Sequence, residues 1–437
     1  MNILLNIFLS LYAIGVFFYP PLYNVGFYGF IILILLHFKK ENKLRELFSQ
    51  FNQKYKLWTI ITAIILMAFI GCFYTIAPRQ EAFIIFLRRF LTLSTALIFI
   101  PFFILHENFA KKIILLFTLS GVLYCIIASF RPLHYIRINP IPISMLIGYI
   151  VVGLSSRILL LQKNLFIHIL RFVFFTTFLI LFNPQKTGFV ASIVSIAFVA
   201  FIASMASVTS TISIAKKGIF IFSVIVTLLA IGIYKQNPLS PRLSSFFATI
   251  SSRNFCMSQS VPNVSKDVSN TLKRDSSTLQ RIAMQKQCLY IFKTSPFWGN
   301  GTASYGSVIK ARSLDWISWK LPNPITPRWI TTVHPHNDFC NWIVQFGYIG
   351  GIFYLIFMGY LLIFFMKKLT VSYLHSFLGL GTVIFFGLCS QCDMMLGGSI
   401  VQSVFILGNS ICIARIVRKK MLLKARKNHI LKMIKAF

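Results

Sequence analysis

The sequence predicts an all-α polytopic membrane protein with about twelve transmembrane helices, and three observations carry this prediction. Hydrophobic residues make up 57% of the 437 residues and charged residues only 12%, and the mean hydropathy of +0.76 is too high for a soluble domain. Apolar runs of roughly the 20 residues that a span requires recur along the chain. Lys and Arg crowd the short connections between alternate runs, which is the pattern of cytoplasmic loops.

Residues 1–234 hold the first nine of these runs and are predicted to form a membrane domain. The basic stretch from Lys39 to Lys56 marks the connection after the second run as cytoplasmic, which also places the N-terminus in the cytoplasm. The first run lacks the basic start and the cleavage site of a signal peptide and is predicted to be a span. The segment from Ala82 to Arg89 is a candidate interfacial helix. The nine predicted spans are residues 3–19, 23–38, 57–74, 90–105, 113–130, 143–154, 166–182, 189–207 and 218–234.

The apolar pattern stops between Lys235 and Val333, so residues 235–340 are predicted to form a large outer loop domain between the ninth and tenth spans. An amphipathic stretch from Ser277 to Phe292 predicts that this loop is partly helical. Residues 341–437 are predicted to form a second membrane domain, whose basic tail places the C-terminus in the cytoplasm. Its three predicted spans are residues 341–365, 372–390 and 399–414.

The outer loop is strongly basic, on the side of the membrane that positive-inside topology would deplete of charge. Between Lys235 and Val333 it holds 13 Lys and Arg against three Asp, within a chain whose net charge is +34. Long loops escape the topology rule, so a solvated loop beside anionic headgroups is one explanation. The other explanation is an anionic ligand such as a phosphate or pyrophosphate, for which Arg provides bidentate donors.

A polar turn, His334-Pro335-His336-Asn337-Asp338, stands where the outer loop meets the tenth span. Ionisable side chains at the mouth of a membrane helix are costly and indicate a functional site. An imidazole exchanges a proton near neutral pH, so His334 and His336 are candidate general bases. The alternative is a turn whose rings only form hydrogen bonds to the loop.

The acids and cysteines do not predict a metal site. The carboxylates of the outer face stand singly, without a DxD or DxxD pair, and the two histidines lack a third zinc ligand. Cys389 and Cys392 have CxxC spacing but no partner pair, so a zinc or redox role is not expected. Cys256 and Cys288 share the outer loop and are candidates for a disulfide if that loop faces an oxidising compartment.

These features together resemble the O-antigen ligase family, which shares this region with O-antigen polymerases and O-linked oligosaccharyltransferases. The resemblance rests on the twelve-span topology, the large outer loop, and His-x-His-Asn leading into a span with a glycine-rich kink at residues 347–351. A second matching block runs from Ser277 to Met284. It precedes a Pro-x-x-Gly-x-Gly-like turn that begins at Pro296.

The resemblance implies a GT-C-like enzyme of the bacterial inner membrane, with its active site on the periplasmic side. It implies metal-independent, inverting transfer of O-antigen polysaccharide from undecaprenyl-pyrophosphate to a sugar hydroxyl of lipid A-core. The expected partners are this donor, this acceptor and membrane lipids, with no cofactor and no nucleic acid.

The resemblance also assigns catalytic roles. His336, the histidine directly before Asn337, would be the base that activates the acceptor hydroxyl, and His334 would be an accessory group. Asp393 matches an outer acid of the family and would orient the histidine; a solvated turn acid is the alternative.

Four cations are candidates for binding the donor pyrophosphate. Arg281 stands where the family has an Arg. Lys186 replaces another family Arg, which keeps the charge but loses the bidentate geometry. Arg88 and Arg89 either help to hold the lipid phosphate or anchor an interfacial segment.

Two further classes of function compete with a ligase. An enzyme of the same superfamily could use another acceptor: a polymerase would use another lipid-linked repeat unit, and an O-linked oligosaccharyltransferase would use a protein. The basic outer face and the short outer loops before Lys235 favour the ligase over the polymerase, since the ligase's core acceptor is often phosphorylated. A lipid or glycan transporter would carry broken helices and polar groups at mid-membrane. We find no internal repeat of the inverted-repeat type, and the polar residues gather at outer span ends instead.

Overall fold

The computed structural model describes residues 2–41, 56–130, 140–160, 164–181, 186–206, 211–234, 276–311, 335–391 and 399–436. All regular secondary structure in these ranges is helical. The helices are α1 (Asn2–Phe18), α2 (Pro20–Glu41), α3 (Leu57–Gly71), α4 (Arg79–Ile85), α5 (Leu91–Leu105), α6 (Glu107–Phe130), α7 (Pro140–Leu160), α8 (Leu165–Leu181), α9 (Lys186–Ala206), α10 (Thr211–Tyr234), α11 (Ser276–Thr294), α12 (Ser304–Ala311), α13 (Asp338–Lys367), α14 (Tyr373–Cys389) and α15 (Ser399–Ala436).

The protein is an all-α, multi-pass membrane protein. Six helical segments of the described chain are long and apolar enough to cross a bilayer. Six further apolar helices are shorter, at 10–17 residues, so the total of about twelve crossings stays a prediction. The six long segments are Pro20–Lys39, Arg79–Leu105, Glu107–Ser129, Pro142–Leu160, Asp338–Lys367 and Ile400–Arg426.

The candidate interfacial segment forms the first part of one long helical unit. A π-helical turn, Phe86–Phe90, joins α4 to α5, and Arg79–Leu105 together qualify as a span. Phe90 packs edge-on against Trp342 and Phe346 of α13, with ring centroids 5.7 Å apart in both pairs. This packing holds the π turn, which carries Arg88 and Arg89, against the start of α13.

The helix pair α14 and α15 lies at the centre of the bundle. α14 packs against α7, α9, α13 and α15, and α15 also packs against α5. Side chains of α15 from Val401 to Val417 are almost all buried, although the sequence of this helix ends in a basic tail. A buried helix that is apolar on all sides is typical of the interior of a large membrane bundle. The start of α13 and the end of α14 therefore adjoin a packed core.

The described part of the outer loop forms a small hydrophobic core with the first turns of α13. Helices α11 and α12 both contact α13. Eight buried residues form this second core: Met284, Cys288, Ile291, Tyr305, Val308, Ile309, Cys340 and Val344. The described part of the predicted loop contains the two helices α11 and α12. The rest of the predicted loop lies outside the described residues, and the boundaries of the three predicted domains stay a proposal.

Candidate functional site

The polar turn at the start of α13 has a well-defined local structure. His336 adopts a left-handed conformation with φ of +51°, which is uncommon for a residue other than glycine. Asn337 follows in an extended conformation as the N-cap of α13, and its Oδ1 accepts a hydrogen bond of 2.9 Å from the Cys340 amide. The cap fixes where α13 begins, directly after the half-buried His336. Such strained conformations cluster at functional sites.

Gln391 connects this turn to the end of α14 and to α11. The Asn337 Nδ2 donates to the Gln391 carbonyl oxygen at 3.3 Å and to its Oε1 at 3.2 Å. The Gln285 Nε2 of α11 donates to the same carbonyl at 3.2 Å. The Asp338 amide donates to the Ser390 carbonyl at 3.0 Å. Gln391 therefore joins the turn that carries His336 to α11, the helix that carries the matching block from Ser277 to Met284.

Arg281 lies on α11, one helical turn before Gln285. Residues four apart lie on the same face of a helix, so Arg281 projects from the face that reaches Gln391. Its side chain is half-buried. Further along α11, Cys288 anchors the helix to α13, because its thiol is buried against the Cys340 thiol. Burial raises the pKa of Cys288 well above its ordinary value, so this thiol packs as a neutral group rather than reacting as a thiolate.

The two arginines of the π turn point in different directions. Arg88 is exposed, and its carbonyl accepts a 2.7 Å hydrogen bond from Thr92. Arg89 is half-buried, and the charges that act on its guanidinium come from Asp338 and Glu81. Its Nη1 is buried without a hydrogen-bond partner among the described residues. Of these two arginines, it is Arg89 whose guanidinium interacts with Asp338 of the polar turn.

The π turn also explains how Arg89 is held. In a π turn the i→i−4 ladder is interrupted, which leaves a carbonyl for another partner. The Arg89 carbonyl accepts a 2.6 Å hydrogen bond from Nε2 of the buried Gln402 on α15. The backbone of Arg89 is thus tied to the most deeply buried helix of the bundle.

A glycine kink divides α13, as the sequence predicts. Gly347 has φ of +62° and ψ of −148°, a conformation open essentially to glycine alone. A Cβ at this position would meet the carbonyl oxygens of Pro296 and Phe297. The kink therefore allows the loop after α11 to approach the backbone of α13.

That loop satisfies the backbone groups that the kink releases. The Asn300 amide donates to the Val344 carbonyl at 3.0 Å, and the Gly301 amide donates to the Gln345 carbonyl at 2.8 Å. In return, the Pro296 carbonyl accepts a 2.7 Å hydrogen bond from the Tyr348 amide. The Pro-x-x-Gly-x-Gly-like turn that begins at Pro296 therefore supplies the hydrogen bonds that the backbone of α13 lacks at the kink.

The same loop caps the end of α3. Thr302 donates from its amide to the Gly71 carbonyl at 3.1 Å and from its hydroxyl to the Ala68 carbonyl at 2.7 Å. Thr75 returns a 2.7 Å hydrogen bond to the Thr302 carbonyl. Because these carbonyls end a helix, they have no partner within it. The loop therefore connects the end of α3 to the kink of α13 through hydrogen bonds.

Several predicted site residues lie outside the described part of the chain. His334 and Asp393 do, and so does Cys256, so its predicted pairing with Cys288 stays untested. Lys186 begins α9, but only its backbone is described. In the described ranges no group of three or more His, Cys, Asp and Glu could hold a metal ion.

The structure adds polar residues that the sequence reasoning did not select. Asp338 is fully buried at the first turn of α13, and Asn337 and Gln391 hold the turn in place. Asn341 accepts a 2.8 Å hydrogen bond from Nε2 of Gln345, and both side chains are buried in the same helix. An Asn before an apolar run is a recognisable cap signal; Gln391 carries no such signal because its partners are distant in sequence.

Comparison with known proteins assigns the family. Residues 142–355 match the family model described as O-antigen ligase. Over these residues the chain belongs to the O-antigen ligase family. No curated protein gives a match.

The matched region covers much of the site. It includes Lys186, Arg281, the His336 turn and the Gly347 kink, and it leaves out Arg89. Membership confirms the predicted resemblance and makes the protein a glycosyltransferase-like enzyme of the O-antigen ligase and polymerase group.

Proposed function

We propose that this member of the O-antigen ligase family transfers O-antigen polysaccharide from undecaprenyl-pyrophosphate to a sugar hydroxyl of lipid A-core. The site lies on the periplasmic face of the inner membrane, and both termini lie in the cytoplasm. Transfer is inverting and requires no metal. The residues that carry it are His336 as general base and Arg281 as the principal ligand of the pyrophosphate.

The observation that supports this proposal best is the meeting of two distant sequence blocks at Gln391. The turn that carries His336 and the helix face that carries Arg281 both donate hydrogen bonds to this one residue. A base and a pyrophosphate ligand must flank the anomeric carbon from opposite sides in an inverting transfer. The shared hydrogen bonds to Gln391 bring the two elements together, which supports this assignment.

In the proposed reaction, His336 accepts the proton of the acceptor hydroxyl as its oxygen attacks the anomeric carbon. The bond from that carbon to the pyrophosphate oxygen breaks, and undecaprenyl-pyrophosphate leaves with the electron pair. Guanidinium groups stabilise the developing negative charge through charge-assisted hydrogen bonds. Arg281 and Arg89 supply these groups.

The remaining family assignments are kept as part of the proposal. Lys186 is a further cation for the donor, His334 is an accessory group, and Asp393 orients the base. Arg88 is exposed on the other side of the π turn and is assigned to anchoring at the membrane surface.

A polymerase is the alternative within the same group, and a transporter is the alternative from another class. A transporter would use a broken helix to offer free carbonyls to its substrate or ion. The helix α13 is broken at Gly347, but the Val344 and Gln345 carbonyls at the break accept hydrogen bonds from Asn300 and Gly301. The break thus holds a structural loop, which favours the enzyme.

A reconstituted transfer reaction tests the enzyme, and a deletion strain identifies the acceptor. Purified protein in detergent is mixed with an undecaprenyl-pyrophosphate-linked glycan and lipid A-core, without ATP or metal. We expect glycan-bearing lipid A-core as the product; donor binding without transfer would contradict the proposal.

Cells that lack the protein should carry core-only lipopolysaccharide, whereas core with a single repeat unit would identify a polymerase.

A further inference from the structure

A cavity lies at the end of the helix bundle remote from His336. α14 ends at Cys389 beside the site turn and begins at Tyr373, so His375, which lines this cavity, is at the opposite end. The cavity measures about 130 Å³ and lies between α1, α6, α7, α8, α14 and α15. Most of its wall is apolar, including Ile113, Phe117, Ile150, Leu378, Val404 and Leu407.

Three arginines from three different helices line one end of the cavity. They are Arg157 of α7, Arg171 of α8 and Arg415 of α15. The charges of Arg171 and Arg415 both act on Arg157, so the three guanidinium groups are close enough to repel one another. The Arg415 Nε is buried without a hydrogen-bond partner among the described residues. Clustered guanidinium groups are favourable only when an anion lies between them.

The neighbouring side chains do not supply that anion. No Asp or Glu is among the described residues that line the cavity. Nη1 of Arg415 donates to Nε2 of His375 at 3.1 Å, which leaves the His375 Nδ1–H to donate to the Ser372 hydroxyl at 2.9 Å. Both ring nitrogens of a neutral imidazole are then used, so His375 orients Arg415 without neutralising it.

Glu107 is an acid on which the charge of Arg415 acts, but it is already paired with two other cations. Glu107 forms ion pairs with Lys111 at 3.1 Å and with Arg418 at 2.7 Å. It lies at the start of α6, outside the cavity wall. The positive charge at the arginine end therefore exceeds the negative charge of the described side chains around it.

The lining of the cavity is amphipathic. Its wall follows α15 from Val404 to Arg415, which at 1.5 Å per residue is a length of about 16 Å. The arginines lie at one end of this length and apolar side chains at the other. At Gly153, in the wall, an added Cβ would have Leu378 Cδ2 as its nearest neighbour at 3.9 Å, so the wall has room there.

We propose that this cavity binds an anionic phospholipid of the bilayer. Its phosphate lies between Arg157, Arg171 and Arg415, and one apolar chain runs along α15 towards Val404. The site is separate from the transfer site and does not depend on the function proposed for it.

Lipid retention by the purified protein tests this site. The detergent-solubilised full chain is incubated with equal amounts of phosphatidylglycerol and phosphatidylcholine, repurified, and its bound lipid counted by native mass spectrometry. We expect the wild type to retain phosphatidylglycerol preferentially. The double change Arg157→Gln with Arg415→Gln should lower that retention about ten-fold or more, since each charged hydrogen bond is worth a similar factor.

Two further variants separate the site from loss of the fold. Gly153→Leu fills the cavity without changing charge and should lower phosphatidylglycerol retention while the melting temperature stays near that of the wild type. Lys424→Gln changes an exposed cation of α15 beyond the cavity and should leave retention unchanged.

Three results would overturn the proposal. One is equal retention of the two lipids by the wild type. Another is wild-type retention by the double arginine variant. The third is displacement of the lipid by millimolar inorganic phosphate with no effect of Gly153→Leu, which would identify a site for the free anion instead.

Discussion

At the scale of single residues, the structure gives different surroundings to Arg88 and Arg89, two adjacent arginines that the sequence does not distinguish. Arg88 and Arg89 are adjacent cations with the same two candidate roles. The π turn exposes the first and places the second near Asp338. A helical turn with one extra residue rotates the side chains that follow it, and neither hydropathy nor charge pattern predicts where such a turn occurs.

The two arginines provide a matched pair of variants. Arg89→Gln should raise the donor KM about ten-fold through loss of a charged hydrogen bond to the pyrophosphate. Arg88→Gln should leave the donor KM near the wild-type value because its side chain is exposed. Steady-state transfer kinetics measure both, and equal effects of the two changes would remove Arg89 from the donor site.

Asn337 has two functions that substitution can separate. Asn337→Ala removes the cap of α13 and should lower stability by about 0.5–2 kcal/mol. Asn337→Asp keeps an acceptor for the Cys340 amide but loses the Nδ2 donor to Gln391. We expect the Asp variant to keep its melting temperature and to lose kcat more than KM. A wild-type kcat in that variant would show that the bond to Gln391 does not position His336.

At the scale of elements, the kinked helix and the glycine-rich loop form one unit. The loop supplies hydrogen bonds to both sides of the Gly347 break and to the end of α3. It also leads directly out of α11, the helix that carries Arg281. Docking of the loop therefore sets the position of a donor-binding candidate relative to the turn that carries His336.

Gly347→Ala tests this coupling against a control on the same helix. The left-handed φ and the nearby carbonyls of the loop make an added methyl group cost about 1–3 kcal/mol or more, so we expect a lower melting temperature and loss of transfer. Gly359→Ala should be tolerated to within about 1 kcal/mol, because an added Cβ there meets nothing within 4 Å. Equal melting temperatures in the two variants would contradict the role given to the kink.

At the scale of the whole molecule, the sequence predicts what depends on local composition. Hydropathy locates the apolar helices, and the glycines after Phe346 predict the kink. The sequence does not predict the contacts between elements, because these contacts depend on residues that meet only after packing. Examples are the Gln391 junction, the loop that bonds to α13 at its kink, and the different surroundings of Arg88 and Arg89. Because hydrogen bonds across tens of residues leave no periodic signal, a single sequence does not reveal them.

A chelator experiment addresses the mechanism of the assembled enzyme. If guanidinium groups stabilise the leaving pyrophosphate, EDTA should leave the transfer rate of the purified protein unchanged. The control is EDTA followed by excess Mg²⁺ or Mn²⁺. Strong inhibition that either ion reverses would replace the arginine mechanism with a metal-assisted one.

The most direct test of the central claim is the transfer rate of His336→Ala with saturating donor and acceptor. Loss of a general base should lower this rate by about 10²–10⁴-fold with donor binding and melting temperature retained. His37→Ala is the control, because His37 contacts His106 beyond the far end of α5 and should transfer at the wild-type rate. A wild-type rate in His336→Ala would contradict the account.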